Sequence, residues 1–263
     1  MKIVEPKVYL IGETRLLEDE LQLYLEEVGA PEWKTDANSD IEKLAEVMSR
    51  LCYRSWKPGL NPNVVKVRQG NEDYLKHILE VGHGSVLEHG VLNFILADVS
   101  RVFTHELVRH RVGVAISQES LRFVRLTDLK AWAPSCFQNH PKRDEVMEKF
   151  VEVVEYLEKK QKELAELLDV ADQKRFEQKK ELTSAMRRLA PDGLATTIGW
   201  SVNIRTLRHV IEMRTAPGAE EEIRLVLGKI AEKAKIRYPN LFGDYEVEMV
   251  GGLPWYKTKN KKV

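Results

Sequence analysis

Cysteine is scarce in this chain, and both long apolar runs and a net charge are missing. Cys52 and Cys136 are the only cysteines among the 263 residues, which excludes a disulfide framework and is typical of a reducing, cytoplasmic setting. No apolar stretch approaches the length of a membrane span. The 41 basic residues balance the 41 acidic ones, which argues against binding of nucleic acids or membrane surfaces through overall charge. Local basic clusters are therefore expected to serve small anionic ligands.

The chain also lacks the usual motifs for phosphate loops, zinc sites and nucleophilic cysteines. It has no glycine-rich loop of the kind that cradles phosphates, so arginines and helix N-termini must hold any nucleotide cofactor. His105 and His110 are five positions apart and do not share a helical face, and we therefore predict no metal site. Cys52 lies in an apolar, helix-like segment, and Cys136 has no base nearby in the sequence, which disfavours thiol catalysis.

Hydrophobic periodicity predicts a mixture of helices and strands, with no internal repeat and no linker between domains. We therefore predict a single domain over residues 1–263. A helical segment around residues 141–183 has one face dense in Glu and Lys and is assigned no chemistry. Helices are predicted over residues 17–28, 41–56, 71–81, 101–111, 203–214 and 219–236, strands over 7–12, 90–99 and 116–126, and a loop over 134–141.

The most informative cluster is Arg109-His110-Arg111, followed after a short apolar gap by Gln118-Glu119-Ser120-Leu121-Arg122. Guanidinium groups bind phosphates in a planar, two-pronged way, which points to a site for phosphorylated ligands. The alternative is an amphipathic helix followed by an edge strand, both with charged outward faces.

Two predicted elements would display these side chains. Helical spacing over residues 101–111 places Glu106, Arg109 and His110 on one face, and Ser100 is a plausible N-cap. Alternation over residues 116–126 sorts the following side chains onto two faces of a strand. One face carries Gln118, Ser120 and Arg122, and the other carries Glu119, Leu121 and Phe123.

Three segments together resemble the flavin-dependent thymidylate synthases: His83–His89, Glu106–Arg111 and Ser117–Arg122. A fourth, Asn203–Arg214, resembles that family's C-terminal signature and is predicted as a helix that Asn203 can cap. The resemblance covers residues 40–130 and 185–237, and the combination is more specific than any one segment. An α+β fold with a central, mostly antiparallel sheet flanked by helices is the corresponding prediction.

The resemblance implies an enzyme that carries FAD and takes reducing equivalents from NADPH. Such an enzyme transfers a methylene group from methylenetetrahydrofolate to dUMP, giving dTMP and tetrahydrofolate, without a protein nucleophile. We also expect a homotetramer with active sites at subunit interfaces, and neither nucleic acid nor membrane as a partner. A paralogue that methylates UMP or another uracil nucleotide, a nucleotide-binding protein without turnover, and RNA binding through Arg109-His110-Arg111 are the alternatives.

Position by position, the resemblance assigns residues to three roles. Arg214 is the catalytic residue, because a fixed guanidinium facing the uracil ring favours negative charge that develops there. Residues expected to contact FAD are Ser85, Arg109, His110, Arg111, Asn203, Ile204, Arg205 and His209. Residues expected to contact the nucleotide are Glu106, Arg109, Gln118, Glu119, Ser120, Leu121, Arg122, Arg187 and Arg214, with Arg187 reaching from another subunit.

The chain departs from the family pattern at a few positions. The segment between Arg111 and Ser120 is one residue longer than usual, which reverses the alternation of side chains unless a bulge absorbs it. Gly113 is the candidate position for that bulge. Glu106 stands where glutamine is common, and Gly218 stands where some members have histidine. These differences keep other uracil nucleotides among the candidate substrates.

Overall fold

Helices carry most of the regular structure, and they form where apolar residues recur at helical spacing. The structure, a computed structural model, describes residues 1–122 and 129–263. Within those residues the helices are α1 (Glu18–Glu27), α2 (Asp40–Tyr53), α3 (Asn71–Val81), α4 (Arg101–Leu107), α5 (Ser135–Gln138), α6 (Arg143–Leu167), α7 (Phe176–Met186), α8 (Ile204–Thr215), α9 (Glu221–Arg237) and α10 (Pro239–Phe242), and short 3-10 helices lie at Gly84–Glu88 and Arg187–Leu189.

Strands are shorter, and most of them belong to one sheet. They are β1 (Lys2–Ile3), β2 (Lys7–Glu13), β3 (Val91–Ser100), β4 (Val114–Gln118), β5 (Lys130–Ala131), β6 (Ala195–Asn203), β7 (Glu246–Val250) and β8 (Leu253–Lys257). Four of them form a sheet in the order β2-β3-β6-β4, β7 and β8 form an antiparallel hairpin, and β1 pairs with β5 in parallel.

Contacts near both ends of neighbouring strands show the direction of the four-stranded sheet. Residues early in one strand meet residues late in its neighbour, as in antiparallel pairs. The contacts are Thr14 to Val91 and Lys7 to Asp98 for β2 and β3, Ile204 to Gly90 and Arg101 to Leu194 for β3 and β6, and Asn203 to Gly113 and Glu119 to Thr197 for β6 and β4. The predicted α+β fold with a mostly antiparallel sheet and flanking helices is confirmed.

The chain divides into two compact units, each assembled from separate segments. The first consists of Met1–Tyr9, Ile95–His110 and Ile116–Trp200, and the second of Leu10–Phe94, Arg111–Ala115 and Ser201–Val263. In the first unit, Val154 and Phe150 of α6 pack with Leu129 and Leu194. In the second unit, α8 packs against α9 and against β8.

Helix α4 is shorter than predicted. It begins as expected after Ser100, whose hydroxyl accepts a hydrogen bond from the N–H of Phe103 at 3.0 Å. It ends at Leu107, however, and the next residues form a turn in which His110 N–H donates to the Leu107 carbonyl. A separate turn follows at Val112 and Gly113, and the Gly113 φ of 69° is incompatible with a right-handed helix. Arg109 and His110 therefore do not extend the helical face of Glu106, and that prediction was wrong.

Strand β4 is also shorter than predicted. It ends at Gln118, and Leu121 and Arg122 lie in a turn. The hydroxyl of Ser120 accepts a hydrogen bond from the N–H of Arg122, which offers the backbone a local alternative to the strand ladder. The predicted alternation across Glu119 to Arg122 was therefore wrong, and its continuation through Phe123 to residue 126 lies outside the described residues.

A helical turn interrupts the loop predicted over residues 134–141, because α5 occupies Ser135–Gln138. The predicted helical segment around residues 141–183 appears as α6 and α7. Across residues 1–122 and 129–263, no helix is both long enough and apolar enough to cross a membrane.

Candidate functional site

The N-terminal end of α8 is the best-defined part of the predicted site, and it lies in the second unit. Asn203 caps the helix as predicted, because its side-chain oxygen accepts a hydrogen bond from the N–H of Thr206 at 2.8 Å. The N–H of Asn203 in turn donates to the carbonyl of Gly113 at 2.9 Å. Only 7% of Asn203 is exposed. One buried residue therefore joins the helix start to the turn that follows Arg111.

Gly113 can be replaced by no other residue without a rearrangement. Its φ is 69°, and a Cβ atom built there would lie 2.6 Å from the Thr206 hydroxyl and closer than 3.0 Å to the Asn203 amide. The Thr206 hydroxyl also donates to the carbonyl of Val112 at 2.9 Å. Gly113 lies in the turn before β4, not within the strand, and this turn holds the exposed Arg111 beside the start of α8.

A second glycine brings the 3-10 helix Gly84–Glu88 against the same end of α8. A Cβ atom built on Gly84 would lie 2.5 Å from Nε of Arg205. Across this close approach, Nη1 of Arg205 pairs with Oε1 of Glu88 at 2.6 Å. Ser85, next to Gly84, is exposed. The glycine thus lets an exposed hydroxyl and an anchored guanidinium lie side by side. We call Gly84–Glu88, Arg111–Gly113 and Asn203–Thr206 together the α8 junction.

Farther along α8, the predicted residues lie on different sides of the helix. His209 is exposed and follows Arg205 by one turn, so the two share a face. Arg214 lies in the last turn, is partly buried, and falls on the side of the buried Val210 and Ile211. Ile204 is only 1% exposed, and its N–H donates to the Gly90 carbonyl. Its predicted contact with a cofactor remains a prediction.

A buried ion pair fixes α8 from its other side. Arg208 is fully buried, and its two terminal nitrogens donate to the two carboxylate oxygens of Asp244, each at 2.8 Å. Burial alone would raise the pKa of Asp244, but hydrogen bonding and the charge of Arg208 outweigh it and hold that pKa below its usual value. The Tyr245 hydroxyl donates to the Arg208 carbonyl at 2.8 Å. Such bidentate pairs are rigid, so α8 has a defined position within its unit.

The α8 junction is suited to the cofactor that the resemblance implies. Its polar side chains that reach solvent include the exposed Arg111 and Ser85 and the partly buried Arg205, which pairs with the exposed Glu88. Guanidinium groups are the preferred partners of phosphates, and the N-terminus of a helix adds a favourable dipole for an anion. Glu88, within the family segment His83–His89, anchors Arg205 through an ion pair. Among the described residues, no group of three or more His, Cys, Asp or Glu could hold a metal ion.

The residues assigned to the nucleotide lie mainly in the first unit, around α4. Glu106 is partly buried near the end of α4, and Arg109 is exposed, with its Nε donating to the His105 carbonyl at 3.2 Å. The side-chain amide of Gln118 donates to the hydroxyl of the buried Thr104 at 3.3 Å. This bond places the end of β4 beside α4, a contact that the periodicity of the sequence did not predict.

Glu119 through Arg122 follow β4 and form a second part of that cluster. Glu119 is bonded to Thr197 in both directions: its N–H donates to the Thr197 carbonyl, and its carboxylate accepts from the Thr197 N–H. Its carboxylate therefore has a structural partner. The Arg122 side chain is exposed, and its carbonyl accepts a hydrogen bond from the Thr183 hydroxyl at 2.8 Å. Arg187 is exposed at the end of α7.

The structure thus gathers the predicted residues into two sets, each within one unit. Sequence reasoning found the polar members and singled out Gly113 as the position of a bulge, but it missed the close backbone approach at Gly84 and the hydroxyl of Thr206. Two glycines inside otherwise functional motifs were the available signal, because a glycine in such a place often marks a close approach.

Known proteins provide an independent comparison. The chain matches the family model described as thymidylate synthase complementing protein over residues 35–240. It is 35% identical over 223 residues to the flavin-dependent thymidylate synthase of Mycobacteroides abscessus, an alignment that spans 82% of this chain and 84% of that protein. The corresponding protein of Corynebacterium glutamicum is 34% identical over 224 residues, with 82% and 84% covered. That of Corynebacterium diphtheriae is 34% identical over 227 residues, with 83% and 85% covered. Every predicted site residue, from Ser85 to Arg214, falls inside the matched range.

Proposed function

The chain belongs to the flavin-dependent thymidylate synthase family, and from that membership we infer that it is an FAD-dependent methyltransferase. It converts dUMP to dTMP by reductive methylation, with methylenetetrahydrofolate as the carbon donor and NADPH as the reductant. The observation that best supports this inference is the α8 junction, because two arginines and a hydroxyl lie around the start of one helix there.

We propose the following division of work among the residues. Arg111, Arg205 and Ser85 bind the anionic part of FAD, which supplies the redox chemistry when bound. Asn203 and Gly113 keep the helix start and the turn together, so that these donors stay oriented before the ligand arrives. Arg214 holds a permanent positive charge toward the uracil ring, because a guanidinium does not lose its proton at physiological pH. Negative charge that develops on the ring is thereby stabilised.

The same proposal assigns the remaining predicted residues. His110, Ile204 and His209 contribute to the FAD site, and Arg109 lies between FAD and the nucleotide. The nucleotide is held by Glu106, Gln118, Glu119, Ser120, Leu121, Arg122 and Arg187. Arg122 supports this division because its guanidinium is exposed and its backbone is tied to Thr183.

Purified protein tests the function directly. We expect a yellow protein with flavin absorbance that NADPH bleaches under anaerobic conditions. Addition of dUMP and methylenetetrahydrofolate should restore the absorbance and release dTMP in equal amount, whereas UMP in place of dUMP should not. A colourless protein that binds dUMP without turnover would instead support a nucleotide-binding protein, and turnover with UMP alone would identify a paralogue.

Replacement of Arg122 by alanine should weaken the nucleotide more than the flavin. Loss of a charge-assisted, two-pronged phosphate contact costs about 2 to 3 kcal/mol, so the dissociation constant for dUMP should rise roughly 30- to 160-fold. Calorimetry with dUMP, and the ratio of flavin to protein in the same sample, give the two quantities. Equal loss of both ligands would overturn the assignment, and Arg188→Ala, which removes a neighbouring exposed guanidinium, is the matched control.

We further propose that the two units act as one domain in a cytoplasmic homotetramer whose active sites lie at subunit interfaces. The exposure of Arg109, Arg111, Arg122 and Arg187 supports this proposal, because guanidinium groups that serve a closed site need further protein to shield them from water. The two unpaired cysteines support a reducing compartment.

Subunit mixing tests whether Arg187 serves a neighbouring subunit. Arg187→Ala and Arg214→Ala should each be nearly inactive alone. If one site takes Arg214 from one subunit and Arg187 from another, random reassembly of the two variants should restore about a quarter of the wild-type activity, since closed symmetric oligomers exchange equivalent subunits. Each variant mixed with itself is the control. No recovery in tetramers that mass spectrometry shows to be mixed would place both arginines in one subunit's site.

A further inference from the structure

A groove beside the α8 junction combines aromatic, apolar and basic side chains, and none of the residue roles proposed above involves it. It lies in the second unit, has a volume of about 280 Å³, and borders His83, the residue before Gly84. The ring of Tyr53 stacks on His83 with 5.4 Å between centroids and 20° between planes. Val67 and Ile78, both buried, form an apolar floor, and Lys66 and Arg68 line the rim. We call this the Tyr53 groove.

The charged groups of the Tyr53 groove are all basic among its described lining residues. Lys66 and Arg68 are exposed on either side of the buried Val67, and neither forms an ion pair with a described residue. Burial lowers the pKa of His77 and the charge of the nearby Arg68 lowers it further, against a smaller opposing effect of Glu80, which disfavours a charged imidazole. The positive charge of the groove therefore comes from Lys66 and Arg68.

A buried guanidinium holds the two walls of the groove in place. Arg50 is 2% exposed, pairs with Glu46 at 2.7 Å, and lies over the ring of Tyr74 at 4.2 Å. It donates one hydrogen bond to the Ser55 carbonyl at 2.8 Å and another to the Arg68 carbonyl at 2.9 Å. Ser55 and Arg68 both line the groove. The backbone beneath the two exposed cations is thus fixed to a rigid core, which lowers the entropic cost of binding a ligand.

We propose that the Tyr53 groove binds the p-aminobenzoyl-glutamate tail of methylenetetrahydrofolate, an inference that rests on the proposed function. The tail begins with a flat, apolar benzoyl ring and ends in carboxylates. The ring matches the apolar floor and the stacked aromatic wall, and the carboxylates match Lys66 and Arg68. His83 of the aromatic pair directly precedes Gly84 of the α8 junction in the sequence, and the proposal places the pterin end of the folate on that side.

The other anionic co-substrate of the reaction fits the groove less well. NADPH follows its nicotinamide with a sugar and a diphosphate, which are polar groups that an apolar floor does not stabilise. The groove lining combines apolar and aromatic side chains with two cations, which matches the two kinds of group in the folate tail.

Charge removal from the rim tests the proposal. In the active holoenzyme, the double variant Lys66→Ala/Arg68→Ala should raise KM for methylenetetrahydrofolate about tenfold. Each exposed ion pair with the folate is expected to strengthen binding a few-fold, and the variant loses two of them. KM for NADPH and for dUMP should change less than about twofold. Added salt should raise the wild-type KM for the folate, because exposed charges are screened, and should have little effect on the variant.

A matched variant and a ligand fragment complete the experiment. Arg15→Ala/Lys259→Ala removes the same two charge types from exposed positions of the same unit outside the groove, and its KM values should equal those of the wild type. Free p-aminobenzoyl-glutamate should inhibit the wild type competitively against the folate and should fail to inhibit the rim variant. Competition against NADPH instead, or a raised KM for NADPH alone, would overturn the proposal in favour of the dinucleotide, and unchanged constants would overturn it outright.

The two hypotheses fail separately. If the wild-type protein shows no turnover with any folate, the proposed function is wrong. Calorimetric titration of p-aminobenzoyl-glutamate into the wild-type protein and the rim variant then still measures the affinity of the groove for the folate tail. Binding that depends on Lys66 and Arg68 supports the groove assignment, and equal or absent binding in both proteins contradicts it.

Discussion

Replacement of Arg214 by alanine should abolish most turnover and leave FAD bound. Removal of a preorganised donor that stabilises developing charge typically lowers kcat about 100- to 1,000-fold. Arg214 lies in the last turn of α8, whereas the α8 junction lies at the other end of the helix, so the flavin-to-protein ratio should stay near that of the wild type. Steady-state formation of dTMP gives kcat, and flavin absorbance gives occupancy.

Two further variants separate a catalytic role from a structural one. Arg214→Lys keeps the positive charge but loses the planar fork, and it should recover only part of the rate. Met213→Ala removes an exposed side chain from the same turn, and its kcat should match the wild type. An Arg214→Ala enzyme with normal kcat would show that the guanidinium is dispensable. A loss equal in Met213→Ala would point to damage of the helix end.

Replacement of Gly113 by alanine should lower the free energy of unfolding of the second unit and cause the protein to lose its flavin. The left-handed backbone costs a residue with a Cβ about 1 to 2 kcal/mol. The new Cβ also displaces the Asn203 amide, and loss of that N-cap costs about 1 kcal/mol more. The free energy of unfolding should therefore fall by about 2 to 3 kcal/mol. Urea denaturation measures it, and gel filtration followed by absorbance measures the retained flavin.

Gly218→Ala is the matched control for that variant. No atom lies within 4 Å of a Cβ built on Gly218, and its φ is not in the left-handed region. An exposed substitution of this kind changes stability by no more than about 0.5 kcal/mol. Comparable losses in both variants would show that the tight packing at Gly113 is not the cause. Asn203→Ala should reproduce part of the Gly113→Ala effect, because it removes the same cap without straining the turn.

Local signals were sufficient for much of the fold. Ser100 and Asn203 were both predicted as N-caps, and both accept the expected hydrogen bond, because capping depends on residues only three positions apart. The segment Asn71–Val81 was predicted with the bounds that the structure shows. Helix α3 ends at Gly82, which adopts the left-handed conformation that terminates helices.

The errors arose where a distant residue decides the local structure. Nothing within residues 101–111 ends α4 at Leu107, whereas Gly113 is held by Asn203, which is ninety positions away in the sequence. The end of β4 was missed for a different, local reason. A serine turn at Ser120 competes with the strand, and periodicity does not reveal which of the two wins. The candidate residues were therefore predictable by type and position, but their contacts were not.

The matched family region ends at residue 240, yet helix α8 relies on a residue beyond it. Asp244 neutralises Arg208 inside the second unit, and Thr258 and Asn260 in turn donate to that carboxylate. A protein truncated after residue 240 would bury the Arg208 guanidinium without its carboxylate partner, which lowers the free energy of unfolding by about 3 to 5 kcal/mol. The segment after residue 240 thus supplies the carboxylate that neutralises a buried arginine of α8. The smallest functional form of this enzyme therefore extends beyond the region that the family model matches.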